Sequence, residues 1–211
     1  MKLWNRIFRM QAGRTTEASA ALVDVHRAVN SMSDYGYSLW ETVVGPTNQF
    51  GASALCSDVE EFFSGAPIYD YPDAEALGAT AAAVKALVAG PAEDSLWSIV
   101  HALGDWSSVP NVLSDVISEV RMDQMGPALE ATVEFAEYMH GLTGTPVTVC
   151  TSFWGTGPSV RMYWGYESMG DWDERTTRGT ADPGFHQRNA ALAALPGTGM
   201  ASRSGVFRRL G

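Results

Sequence analysis

The chain repeats itself with a shift of 110 positions, and no other feature restricts its fold as strongly. Residues 5–10 form a short β-type run. Thr15 then caps a segment whose apolar residues Ala18, Ala21, Leu22, Val25, Val29 and Met32 fall on one helical stripe. Adding 110 gives Ala128, Ala131, Thr132, Phe135, Met139 and Leu142, a second helix, preceded by the β-branched run 112–120. Strand-like alternation follows at 37–44 and again at 147–154, closed by Gly45 and Gly155. Short turns with Pro46 or Pro158 lead into 49–56 and 159–166, so each half contains a β-hairpin.

Each third strand runs into an acidic aromatic segment, 58–62 or 168–172, with Phe62 and Trp172 in equivalent places. An irregular stretch rich in Gly, Pro and Tyr comes next, 64–72 or 176–185. A helix then ends at Gly90-Pro91 or Pro196-Gly197. Final strands at 95–103 and 205–210 complete two units, each reading β-α-β-β-α-β, the ferredoxin-like motif. The expected organisation is residues 1–103 as one repeat, 104–110 as linker and 111–211 as the other. The fold class is α+β.

A four-stranded sheet covered by helices on one face leaves the other bare, here with Leu39, Val43, Phe50 and Val149 among its residues. Stacking two such sheets face to face removes that exposure, and burial at roughly 25 cal/mol per Å2 makes this the dominant stabilising contribution. On the repeated helix stripes and the strand ends 40–45 and 149–155, the arrangement resembles the dimeric α+β barrel superfamily, the antibiotic-biosynthesis monooxygenase, EthD and NIPSNAP group, in tandem-fused form. The resemblance spans residues 4–210. It implies antiparallel sheets packed as a pseudo-dimeric barrel, and a cleft between sheet and helices that holds a small apolar or aromatic compound. It further implies cofactor-free oxygenase, cyclase or isomerase chemistry, or, in the haem-degrading branch, haem.

In this chain Trp40, Phe50, Trp154, Tyr163 and Trp164 suit such a cleft, because rings give apolar area while indole N–H and phenol O–H orient a ligand. Core packing is the competing account of each. Among the four histidines, His26 stands beside the helix stripe and is the candidate acid–base, with Ala136 at its repeat position. His186, at the entrance of a short helix, is a candidate ligand-binding residue. His140 reads as a cation at a helix C-terminus. The loops 64–72 and 176–185 are candidate lids.

Several classes are disfavoured. The sequence has no phosphate loop, GxSxG, HExxH or dinucleotide fingerprint, and the acidic runs lack EF-hand spacing, so no metal site is expected. The formal charge of -10, from 14 basic and 24 acidic residues, argues against nucleic acid and anionic membrane as partners. No apolar run is long enough to span a bilayer, and residues 1–13 lack a signal-peptide core, so a cytoplasmic location is expected. Two cysteines, Cys56 and Cys150, read as buried thiols. Between residues 28 and 120 Lys85 alone faces 13 acidic residues, whereas residues 171–211 carry six arginines against four acids. That asymmetry suits homo-oligomer contact between an acidic middle and a basic C-terminal surface. Two functions therefore remain: small-molecule binding, with or without catalysis, and a non-catalytic assembly or interaction protein.

Overall fold

The computed structural model describes residues 1–32, 35–60, 62, 74–152, 157–195 and 198–211. The first repeat contributes β1 (Lys2–Arg9), α1 (Thr15–Met32), β2 (Ser38–Val44), β3 (Gln49–Cys56), α2 (Ala74–Lys85) and β4 (Glu93–Leu103). The second contributes β5 (Val112–Val120), a 3-10 turn (Met122–Gln124), α3 (Met125–Thr143), β6 (Val147–Ser152), β7 (Ser159–Tyr166), α4 (Met169–Thr180), α5 (Pro183–Ala194) and β8 (Thr198–Arg209). The shift of 110 holds for the starts of the first strand, the first helix and the third strand: 2 and 112, 15 and 125, 49 and 159.

The strands run in hydrogen-bonded order β1-β3-β2-β8-β5-β7-β6-β4 and close. Each repeat thus contributes the order fourth-first-third-second, β4-β1-β3-β2 and β8-β5-β7-β6, as a ferredoxin-like unit requires. The α+β, tandem ferredoxin-like architecture expected from the repeat is the one the chain adopts.

Two compact units result. One comprises Met1–Leu96 with Arg208–Gly211, the other Trp97–Phe207. β4 therefore begins in the first and finishes in the second, where it pairs with β6 from Ser98↔Thr151 to Leu103↔Val147 across a bulge. In the first unit the last residues bond to β2: Leu39 N donates to Gly211 O at 2.9 Å and Leu210 N to Leu39 O at 2.8 Å. Arg208 also pairs with Glu41 at 2.6 Å. One basic residue of the C-terminal stretch thus spends its charge on the acidic middle within the same chain.

The helix stripes bury what their periodicity predicts. α1 buries Ala18, Leu22 and Val29, and α3 buries the equivalents Ala128, Thr132 and Met139, together with Phe135 and Ala136. α3 stops at Gly144, whose φ of 69° is the left-handed cap conformation and whose N–H reaches His140 O. His140 lies there as expected, its Nδ1–H donating to Thr145 O at 2.8 Å.

The expected irregular stretch 176–185 is a correction: it is the end of α4 and the start of α5. Ser168 Oγ accepts from Asp171 N, Asp171 accepts from Glu167 N, and Arg175 pairs with Asp171 one turn on, so the segment is capped and charged as a helix. Asp182 then caps α5 through Gly184 N, with Pro183 in its first turn. No open lid exists at 176–185; the loop 64–72 lies outside the described residues.

Candidate functional site

Strand alternation sorts the side chains of each sheet into two faces. In the second unit Val147, Val149, Val160 and Met162 pack with Phe135 and Met139 of α3, so they mark the helix-facing side. Trp164 follows in the same alternation and packs against this cluster and against the smaller one of Val112, Tyr166 and Val206. In the first unit Trp4, Ala54 and Cys56 pack with Val29 of α1, Tyr37 and Phe62.

The register then shows something the linear sequence hides. Trp4 on β1 stands opposite Ala54 on β3, and Ser114 on β5 stands opposite Trp164 on β7. A shift of 110 maps the first pair onto the second, so both units place one tryptophan on the same rung of the same strand pair, from opposite strands. Both indole Nε1 atoms are buried without a hydrogen-bond partner among the described residues. Buried indole N–H groups normally find a partner, and leaving one unmade costs about 1–3 kcal/mol.

The surroundings of the two indoles differ. Trp4, 2% exposed, meets Tyr37 edge-on with centroids 6.0 Å apart and Phe62 at 5.8 Å, and Tyr35 adds a further edge contact to Phe62. Beside Trp164, Ser114 Oγ donates to the phenol oxygen of Tyr166 at 3.4 Å. Burial pushes the Tyr166 phenol above its ordinary range, so it stays neutral and able to donate.

The other expected site residues are dispersed. Trp40 is buried, and its Nε1–H is spent on Ser53 Oγ at 2.8 Å. Phe50 is fully buried among Leu22, Leu39 and Leu87, as core. Tyr163 alternates with Trp164 and so lies on the face turned away from the helices, its ring 4.1 Å from the Arg161 guanidinium. His26 Nε2–H donates to Tyr37 O at 2.6 Å, beside Asn30, which bonds both the N–H and the C=O of Tyr37. His186 is exposed on α5, edge-on to Phe185. Trp154 lies outside the described residues. Among the ligand-binding candidates, then, the helix-facing rung holds Trp164. Trp4 went unnoticed in the sequence because its repeat position holds serine.

Haem does not fit this rung. The residues packed with the two indoles supply hydrocarbon, phenol and a thiol that burial pushes up, away from thiolate, and the imidazole near Trp4, His26, gives its Nε2–H to Tyr37 O. His140 and His26 are engaged as above, and His101 Nε2 lies 3.3 Å from the Glu137 carboxylate. Among the described residues no helix is long and apolar enough to cross a membrane, and no cluster of His, Cys, Asp and Glu could hold a metal ion.

No protein-family profile matches the chain, and neither does any curated protein. Solved structures do. An anthrone oxidase-like protein matches with a TM-score of 0.69 at 10% identity, over 99% of this chain and 90% of its own. A candidate monooxygenase from Fusobacterium nucleatum subsp. nucleatum matches with a TM-score of 0.70 at 11% identity, over 100% and 92%. A ferredoxin-fold protein related to antibiotic biosynthesis monooxygenases, from Listeria monocytogenes, matches with a TM-score of 0.51 at 6% identity, over 97% and 93%. At these identities the likeness establishes the fold, which is the one the sequence resemblance implied.

Proposed function

We propose that the chain binds a small, mostly apolar aromatic compound on the helix-facing side of the sheet, with the indole N–H of Trp164, and its first-unit equivalent on Trp4, donating to a carbonyl or hydroxyl oxygen of the ligand. The observation that carries this reading is the pair of buried, unpartnered indole donors on one rung of both units. A ligand oxygen would satisfy such a donor. Tyr166, kept neutral, is the second orienting group in the second unit.

The reaction that suits this setting is cofactor-free oxygenation of an enolisable aromatic ketone. Two structural neighbours, described as anthrone oxidase-like and as a candidate monooxygenase, support that choice. Anthrone is the natural probe: with one O2 it yields anthraquinone and one water, so atoms balance without another reductant. The donor facing the ketone oxygen would stabilise charge as the enolate forms.

Anthrone binding is measured by titration and its oxidation by oxygen uptake. Saturable binding that weakens about tenfold in Trp164→Phe is the expected result, the loss of one buried hydrogen bond. Binding unchanged in both Trp164→Phe and Trp4→Phe would sink the reading. Binding without oxygen uptake would restrict the protein to a ligand carrier.

A further inference from the structure

On the face of the second unit's sheet turned away from the helices, a charged pair is buried. Arg161 on β7 is 6% exposed and Asp115 on β5 is 4% exposed. Arg161 donates from Nε at 2.8 Å and from Nη2 at 2.5 Å, and both bonds end on the same oxygen, Asp115 Oδ2. Nη1 of the guanidinium and Oδ1 of the carboxylate take no hydrogen bond among the described residues. A pair built only for mutual neutralisation would use the parallel two-oxygen geometry, which satisfies both groups.

The surroundings are aromatic. Trp97 lies 5.3 Å and Tyr163 4.1 Å from the guanidinium, ring centroids to Cζ. Cys150 stands opposite Arg161 on β6, Ile117 opposite it on β5. A Cβ at Gly205 would come 3.4 Å from Asp115 Oδ1 and only 2.6 Å from Phe207 Cζ, so glycine there lets the Phe207 ring pack beside the unspent oxygen.

Stability gives no reason for this pair. Desolvating two ions costs several kcal/mol each, and hydrophobic replacements of similar volume are often neutral or stabilising. Burial pulls the Arg161 guanidinium down, but Tyr163 and Asp115 outweigh it and hold the group above its ordinary value, firmly charged. Burial pushes the Cys150 thiol up to about 12 despite the nearby Arg161, so it is a neutral neighbour. The first repeat carries Asn5 and Gly51 at the equivalent positions, so the pair belongs to one unit only.

We propose that this cluster is a binding site for a hydroxylated aromatic monocarboxylate: Arg161 Nη1 donates to the carboxylate, the ligand's neighbouring hydroxyl donates to Asp115 Oδ1, and its ring lies against Trp97 or Tyr163. The pair is neutral overall, which disfavours a multiply charged phosphate. Asp115 repels any anion that brings no donor to it. The hydroxyl is therefore the specificity element. The site is on the opposite face from Trp164 and stands independently of the function proposed above.

Salicylate, benzoate and inorganic phosphate are titrated calorimetrically into the full chain. Saturable salicylate binding is expected, with benzoate weaker by about tenfold or more, because benzoate brings no donor to Asp115 Oδ1 and meets only its repulsion. In Asp115→Asn the repulsion disappears and the two ligands converge. Arg161→Gln risks the fold, so Asp115→Asn/Arg161→Gln, which keeps the shape and removes both charges, is the decisive variant; it should lose salicylate by more than about tenfold. Trp164→Phe should leave salicylate unchanged. Absence of saturable salicylate binding, equal binding of benzoate, tighter binding of phosphate, or unaltered affinity in the double variant each overturns the proposal.

Discussion

The two repeats share a backbone and diverge in what they bury. On the face away from the helices the first unit has Asn5, Trp40, Gly51 and Ser53, joined by the Trp40–Ser53 hydrogen bond. The second has Asp115, Cys150, Arg161 and Tyr163, joined by an ion pair. On the helix-facing side the contrast takes another form: the first unit divides its core into an aromatic cluster around Trp4 and an aliphatic one around Phe50, while the second unit gathers its main core around Phe135. Register survives duplication because shifting a strand by one residue would exchange its faces. Side-chain chemistry is under no such constraint, so equivalent positions can specialise.

The contrast is sharpest at Arg161. Arg161→Gln alone should destabilise by about 3–5 kcal/mol, since Asp115 is left buried and uncompensated, while Asp115→Asn/Arg161→Gln should lie near the parent; urea unfolding of both measures the difference. A parent-like single variant would mean that Asp115 finds relief elsewhere. Next comes the core. Phe135→Ala should cost about 3–5 kcal/mol, whereas Val25→Ala, its half-buried first-unit equivalent, should cost about 1 kcal/mol. Equal losses would contradict the unequal packing.

A smaller effect is expected at the start of α4, where Ser168→Ala removes the side-chain acceptor for Asp171 N and should cost about 1 kcal/mol in the same assay. The smallest concerns acid. The Tyr138 hydroxyl, with Gly184 N, holds the Asp182 carboxyl below its ordinary value. A depressed folded pKa contributes stability that is present above the unfolded carboxylate value and lost as pH falls through the folded one. Tyr138→Phe should therefore flatten the acid limb of stability against pH below about 4 and leave the basic limb in place, except that the phenol's own raised titration disappears. An unchanged acid limb would remove Tyr138 as the cause.

Much of this was legible in the sequence. The repeat is written in Ala18, Leu22 and Val29 against Ala128, Thr132 and Met139, and the hairpins in Gly45 and its neighbours, because periodicity and turn chemistry are local. α4 was legible too, through Ser168 and Asp171 three residues on, but Gly170, Gly179 and Pro183 gave the region the look of a loop. The site was less accessible. Trp164 stood out as an aromatic residue, but its relation to Trp4 depends on which residues face each other across two strands. Asp115 and Arg161 are 46 residues apart, and nothing local joins them. His26 looked poised for proton transfer beside the stripe, while the structure gives its Nε2 to a backbone carbonyl.

β4 crosses from one unit into the other, and residues 208–211 belong to the first. The first unit is therefore built from two separate stretches of polypeptide, the second from one. During synthesis, which releases the chain from its N-terminus at roughly 5–20 residues per second, β2 keeps an unfilled hydrogen-bonding edge at Leu39 until those four residues leave the ribosome. The half translated earlier is the half completed last, so a nascent chain stalled short of residue 208 should present that edge to chaperones.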